Sequence, residues 1–422
     1  MSDDALTGVP VLIVGINYAP EMVGIGPYTT GAAEALADAG ARVTMITAKP
    51  YYPAWQPDPA YARPAWHRSR ENGVTIVRCP HYIPAQPSGL KRILHHLSFA
   101  AAALWPAIHS ARAQRPAVVL ALAPALLSVP VAWIAARLSG AKLWIHVQDF
   151  EVEAAMATGL LGNGVAARLA ARFEGAMLRA ADIVSSISPK MCERAAAKGV
   201  APDRIVEFRN WAEIDRILPI AHRSAYRDEW GLGDATIAFY SGNIANKQGI
   251  EIIIEAARLL AHRTDLRFVI CGDGPNRERL AGLAEGLGNV MLRPLQPAER
   301  MAELLGAADI CLLPQIPGAA DLVLPSKLAN MLAAGKPVVA TASPGTGLAA
   351  EVDGVGVITP PGDAPAFAAA IVALADDPDR RRALGVAARV LAIERWSRQA
   401  LLAGMTRTLA TVATRATKFR KS

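Results

Sequence analysis

Three segments of the chain carry residue types suited to holding a diphosphate without a metal. The first is Tyr240-Ser-Gly-Asn-Ile-Ala-Asn-Lys-Gln-Gly249, which leaves an apolar run, turns at Gly242 and Asn243, and delivers Lys247 just before a helix predicted to start near Gly249. A lysine there meets an anion that also receives the free N–H groups of a helix end. A solvated loop lysine is the plain alternative. The second segment is Cys271-Gly-Asp-Gly-Pro275, where Gly272 and Gly274 leave little side-chain bulk after a strand; alone it is any β-α turn. The third, Asp321-Leu-Val-Leu-Pro-Ser-Lys-Leu-Ala-Asn330, predicts a helix N-capped by Ser326 and stopped at Gly335. Its first-turn N–H groups are expected to face the same crevice as Lys247. The specific signal is the convergence of all three loops.

Nearer the start, Asn17-Tyr-Ala-Pro-Glu-Met-Val-Gly-Ile-Gly26 sets Gly24 and Gly26 before a helix, where a phosphate could approach the backbone or the chain could merely turn tightly. It is not a dinucleotide fingerprint. Thr29 stands where a third glycine belongs, and Thr47-Ala-Lys49 offers no acid for a ribose hydroxyl, which weighs against a nucleotide-dependent oxidoreductase. Further on, Asp149 and Glu151 follow a strand, placed either to orient a substrate hydroxyl or to cap the next helix. His146 alternates onto the same side as Gln148 and reads as a core histidine. No His/Asp/Glu cluster has metal-ligand spacing, so neither a metal nor another cofactor is expected.

Such residues act only where strands end, and the strands are legible. Short apolar runs at 11–15, 42–47, 74–78, 118–122, 143–147 and 183–186 alternate with helical material. The pattern loosens around 205–235 and restarts at 236–240, 266–271, 290–293, 310–313, 337–340 and 355–358. The fold class is therefore α/β: two doubly wound parallel sheets, residues 1–212 and 213–396, with a basic helix at 397–422 completing the first. The length of 422 residues agrees with two domains, at about 100–200 residues each. A hydrophobic fraction of 52% excludes a disordered chain. Four scattered cysteines exclude a zinc ribbon and a disulfide framework, and favour a reducing compartment. A net charge of +7 is too thinly spread for nucleic acid and suits anionic lipid or a phosphorylated small molecule. The uncharged stretch 117–136 reads as strand, loop and helix because Pro124, Ser128 and Pro130 interrupt it; a membrane-spanning helix is the alternative. The acidic opening MSDDALTGVP gives no sign of a secretion signal.

At these residues the chain resembles the retaining glycosyltransferases of the GT-B fold, family 4, and within them the subgroup assigned to colanic-acid-type exopolysaccharide fucosyltransfer. The marks are Tyr18-Ala-Pro-Glu-x-x-Gly-x-Gly26, Val147-Gln-Asp149, Gly242-Asn with Lys247-Gln-Gly, Gly272-Asp-Gly-Pro275, Ala308-Asp309 before Leu312-Leu-Pro314, and Pro325-Ser-Lys327 with Ala333-Ala-Gly-Lys-Pro337. The resemblance implies a nucleotide-sugar in the C-terminal domain and an acceptor in the N-terminal one, in a cleft that closes. It implies that no metal is needed and that Lys247 meets the diphosphate. Asn243 stands where many members have arginine, and Lys327 could supply the missing charge. The usual glutamates eight apart are absent: Leu322, beside Asp321, takes the first position and Asn330 the second. Asn330 could still bond a ribose hydroxyl, and Leu322, Val323 and Leu324 could offer backbone N–H groups. The usual His-Asp pair is Gln148-Asp149 here, so the histidine is lost unless His146 on the preceding strand substitutes for it.

The resulting expectation is a glycosyltransferase acting on a polyprenyl-diphosphate-linked oligosaccharide. Asp149, Glu151 and Lys247 would be catalytic, and Gly24, Gly26, Gly242, Asn243, Gly272, Gly274, Ser326, Lys327 and Asn330 would line the donor site. The absent glutamates keep open a catalytically silent nucleotide-sugar-binding protein. The segment Leu90-Lys-Arg-Ile-Leu-His-His-Leu-Ser-Phe-Ala-Ala-Ala-Ala-Leu-Trp-Pro106 either docks on an anionic membrane surface, with Phe99 and Trp105 entering the lipid, or packs on the sheet. With docking, the protein would be cytoplasmic and peripheral on the inner face of the cytoplasmic membrane.

Overall fold

The computed structural model describes residues 6–22, 24–86, 88–123, 126–157, 164–212, 214–244, 248–316 and 326–421, with backbone alone at 154, 155, 157, 326 and 415–421. The chain divides into two compact units, Met1–Arg209 with Leu401–Ser422, and Asn210–Ala400. The helix Arg398–Lys421 carries the chain back from the second unit to the first.

The first unit holds eight strands: β1 Pro10–Gly15, β2 Arg42–Ala48, β3 His67–Glu71, β4 Val74–Cys79, β5 Val118–Ala123, β6 Lys142–Val147, β7 Ile183–Ser186 and β8 Ile205–Glu207. Their order is β3-β4-β2-β1-β5-β6-β7-β8, parallel except for the β3–β4 hairpin. The apolar runs of β1 and β5 are buried on both faces, as a sheet covered on each side requires. On one face the alanines Ala103, Ala107, Ala132 and Ala135, together with Phe99, let the helices Gly89–Gln114 and Val129–Ser139 lie close to Val14, Val119 and Ile145. The stretch 117–136 is thus β5, a short 3-10 turn and the start of a helix. Among the described residues no helix is long and apolar enough to cross a membrane.

The second unit holds β9 Thr236–Ser241, β10 Leu266–Cys271, β11 Val290–Arg293, β12 Ile310–Leu313, β13 Val338–Thr341 and β14 Gly356–Thr359, in the order β11-β10-β9-β12-β13-β14. All neighbours are parallel. Alternation sends Phe239 into one core, with Leu332 and Ala340, and Tyr240 into the other, with Phe268 and Ile253. Asp309 ties the sheet at its amino edge: its Oδ2 accepts from Ile237 N at 2.8 Å and from Arg227. Lys336 does the same through the carbonyls of Gly306 and Ala308. Ala308-Asp309 and the Gly-Lys pair at 335–336 are therefore architectural.

Each sheet reverses its chain order at one place, β1/β5 in the first unit and β9/β12 in the second. Loops part there at the carboxyl ends of the strands, leaving a crevice for ligands.

Candidate active site

In the second unit the loop leaving β9 does not swing free. Gly242 N donates to Cys271 O at 2.9 Å, Ile244 N to Asp273 O at 2.8 Å, and Asn276 N returns to Ile244 O at 3.1 Å. The two strand-end loops thus zip together beyond the sheet. A Cβ on Gly272 would lie 2.0 Å from Gly242 O, and one on Gly274 would lie 2.6 Å from Asn243 Oδ1. These glycines are bare because the neighbouring loop occupies the space.

Lys327 enters the same place from the helix Ser326–Ala333. Its Nζ donates to the Tyr240 hydroxyl at 2.5 Å and sits 4.3 Å from that ring's centroid. It passes so close to Gly242, whose φ is +136°, that a Cβ there would meet Lys327 Cε at 2.4 Å. Gly242, Asn243, Gly272, Gly274 and Lys327 therefore form one cluster. Asn330, half-buried, lies three residues further along the same helix and so on the same side. Ser326 is the first helical residue, not the residue before it as predicted for an N-cap. Lys247, Leu322, Val323, Leu324 and the Ser326 side chain lie outside the described residues. The helix Glu251–Leu259 follows Gly249 with no side-chain cap; Ile252 N and Ile253 N donate instead to the carbonyls of Gly249 and Ile250. The sequence pattern missed Tyr240, which reads as one more core residue of β9.

In the first unit the opening motif works locally. Glu21 Oε1 accepts from Tyr51 N and Tyr52 N, both at 3.0 Å, and Oε2 accepts from Asn17 Nδ2 at 2.8 Å. A Cβ on Gly26 would lie 2.6 Å from Glu21 O, and one on Gly24 would press on the Tyr52 ring at 3.2 Å. Gly24 is thus pressed by a residue after β2, and Gly26 by the loop's own Glu21. Glu151 opens the helix Glu151–Ala157, yet its Oε2 accepts from Leu126 N at 3.0 Å, beyond β5, while Oε1 lies 3.6 Å from His96 Nδ1. Burial, reinforced by Asp149 and Glu174, pushes its carboxyl up to about 8. Asp149 and Glu151 share a cavity of about 10 Å³, room for one water, with Val147, Phe150 and Glu174.

His146 is a core residue, with Nδ1 2.8 Å from Ser185 Oγ and Nε2 3.0 Å from Gln148 Nε2. Burial pushes it down to about 3. A second group of imidazoles packs around Tyr51 and Trp55, with His81–His95 centroids 4.9 Å apart and His95–His96 centroids 5.4 Å apart. Burial and mutual repulsion push His81 down to about 3 and His96 to about 4. Among the described residues no group of three or more His, Cys, Asp or Glu is placed to hold a metal.

The helix Gly89–Gln114 turns its buried side to this imidazole group and exposes Leu90, Leu94, Leu97, Ala101 and Trp105. Their spacing of three or four makes one solvent-facing apolar stripe, with Lys91 and Arg92 exposed at its start. Phe99 does not belong to it. Contrary to expectation it is fully buried in the core, because it sits half a turn from Leu97 and Ala101.

Comparison with known proteins agrees with this layout. The Glycosyl transferase 4-like domain family matches residues 23–211, and the Glycosyl transferases group 1 family matches residues 235–377. The chain is 44% identical over 79% of its length to a protein of Escherichia coli (strain K12) named as a colanic acid biosynthesis glycosyl transferase, WcaI, covering 83% of that protein. It is 32% identical to the alpha-D-kanosaminyltransferase of Streptomyces kanamyceticus over 42% of this chain and 46% of the relative. Among solved structures, sucrose-phosphate synthase from Thermosynechococcus elongatus superposes with a TM-score of 0.72 at 22% identity, covering 96% of this chain and 99% of that one. HepE of Anabaena, in complex with UDP, gives a TM-score of 0.69 at 16% identity over 96% and 100%. At these identities the two structures speak for the fold.

Proposed function

The chain belongs to the GT-B glycosyltransferases that join a glycosyl transferase 4-like domain to a group 1 domain, and on that premise we propose the transfer it performs. The second unit takes a nucleotide-sugar, and the first takes the non-reducing end of a polyprenyl-diphosphate-linked oligosaccharide during exopolysaccharide synthesis of the colanic acid type. A hexose, with fucose a specific candidate, moves with retention. The acceptor hydroxyl bonds to the anomeric carbon on the face from which the nucleoside diphosphate departs. Lys247, Lys327 and the N–H groups at the helix ends stabilise the charge gathering on the diphosphate, which is the electrostatic share of the rate. Asp149 and Glu151 orient the acceptor hydroxyl. The observation that carries this reading is the gathering of Gly242, Asn243, Gly272, Gly274 and Lys327 at the β9/β12 crevice.

The catalytic cycle in this reading requires no divalent metal, because cationic side chains and helix ends take its place. The exposed stripe of the helix Gly89–Gln114, with Lys91 and Arg92 beside it, supports peripheral docking on an anionic membrane, on its cytoplasmic face, where a lipid-linked acceptor would be presented. Release of nucleoside diphosphate from a panel of nucleotide-sugars, with and without a polyprenyl-diphosphate-linked oligosaccharide, tests the whole reading. One donor should turn over only when the lipid acceptor is present, at a rate unchanged by excess chelator. Turnover that chelator abolishes and magnesium restores would sink the metal-free mechanism. Binding without turnover for every acceptor would leave a silent nucleotide-sugar-binding protein.

A further inference from the structure

The lysine and glycines of the second unit have a partner that their own pattern does not reveal. Tyr240 is fully buried on β9, yet its hydroxyl reaches the end of the strand. It receives the Lys327 ammonium at 2.5 Å and donates to Asn243 O at 2.7 Å. An ammonium only donates and a phenol has one hydrogen, so both directions are fixed: Lys327 to Tyr240, and Tyr240 to the Asn243 carbonyl. The geometry points to Tyr240 as the positioning residue for the donor diphosphate, coupling Lys327 on one element to the 242–244 loop on another. This inference rests on the reading of the cluster as the donor site.

Three features of the site require such a coupler. Lys327 carries its charge on a flexible four-carbon stem, and an electrostatic site works best when its charge is already in place. The stem runs past Gly242 with no room for a Cβ, so the path of the lysine and the conformation of the loop are decided together. The Asn243 carbonyl, occupied by the phenol, is not left to repel an anion. Phenylalanine would fill the same volume in the core with no need of a partner; the hydroxyl is what the core does not require. Burial raises the phenol well above its ordinary range, so it stays a donor at any working pH.

The test titrates the full chain with UDP and GDP, and separately with uridine and guanosine. Tyr240→Phe should weaken the better nucleoside diphosphate about tenfold and leave its nucleoside within about twofold, because Lys327 acts on the phosphates. Lys327→Met should weaken it at least as much, and the double variant should be no weaker than Lys327→Met alone. An unchanged affinity in Lys327→Met, or a wild-type chain that binds neither diphosphate, would overturn the donor-site reading and this inference with it. Loss in Lys327→Met with none in Tyr240→Phe, or additive losses in the double variant, would overturn the role of Tyr240 alone. If Tyr240→Phe does not fold, 3,5-difluorotyrosine at 240 keeps the shape while making the oxygen a poorer acceptor. Unchanged diphosphate affinity in that protein would equally overturn it.

Discussion

The two units share one plan, a doubly wound parallel sheet with loops parting at the carboxyl edge, but they furnish that edge differently. The second is built from backbone: zipped loops, bare glycines, a helix start with no side-chain cap and Lys327 held by a phenol. The first is built from side chains: an imidazole group around Tyr51 and Trp55, and the largely buried Glu151 beside His96. Of the eight histidines in the chain, His222 and His262 of the second unit are exposed, whereas His81, His95, His96 and His146 of the first are largely buried. A backbone site suits a group common to every nucleotide-sugar and fails when any Cβ intrudes. A side-chain site is tuned by burial, so it answers to pH.

The largest effect should therefore come from acid, and in the first unit. His81, His96 and His146 sit near 3, 4 and 3 in the folded chain, below the unfolded value of about 6.5. Between pH 4.5 and 6.5 the unfolded state binds three protons there that the folded state does not, so stability falls as pH drops. Glu151, raised to about 8, works the other way and holds one proton that the unfolded chain releases. For these four groups the net is about two protons, or roughly 3 kcal/mol per pH unit at most. Hydrogen exchange read peptide by peptide, corrected for intrinsic rate, should show the first unit loosening from pH 6.5 to 4.5 before the second. Equal loosening of both would remove the proposed asymmetry.

Next in size is the intrusion of a Cβ into the backbone site. Gly272→Ala forces the β9 loop off its neighbour and should lower turnover on the order of 10²-fold, the scale of a misplaced reacting group. Thermal unfolding of the first unit should not move. Lys247→Ala should cost a similar factor in turnover through loss of one cation. Near-normal turnover in both variants would mean that the donor binds elsewhere.

Smaller again is the membrane term. Neutralising Lys91 and Arg92 together should weaken sedimentation with anionic vesicles roughly 10- to 30-fold, while nucleoside diphosphate affinity stays the same. Wild-type protein that ignores anionic vesicles at low salt would make the stripe an ordinary surface. The smallest expected change is Glu21→Gln, which trades an acceptor for an amide in a loop where three donors converge. About 1–2 kcal/mol of stability should be lost, read as a lower melting temperature of the first unit with donor affinity retained.

Strand positions and class were legible in the sequence because the central strands are buried on both faces, and continuous apolar runs between glycine-rich turns have little else to be. Two strands escaped that signal. β3 is the polar edge segment His-Arg-Ser-Arg-Glu, exposed almost throughout, and its only mark is the Asn72-Gly73 turn, where both φ values are positive. β8 is three residues long. The glycine positions of the loops after β9 and β10, the Lys327 segment and the helix starts were equally visible as residue types at strand ends.

What residue types could not say is what each one is for. Gly24 and Gly26 read as a turn open either to a phosphate or to plain tight folding, and the structure adds Tyr52 and Glu21 as the groups a Cβ there would meet; Phe99 faces outward only in the docking alternative, and half a helical turn puts it in the core. The imidazoles at 81, 95 and 96 are far apart in sequence or merely adjacent to one another. Only the packing of strand ends against the helix Gly89–Gln114 makes these three one desolvated group, with His96 beside Glu151. Tyr240 looked like core because its ring is core; that its hydroxyl meets Lys327, eighty-seven residues on, was decided by the β9/β12 order of the sheet. Local sequence fixes period and turn chemistry through short-range sterics. Which side chains then share a few cubic ångströms depends on how distant elements close over one another, and that depends on the whole chain at once.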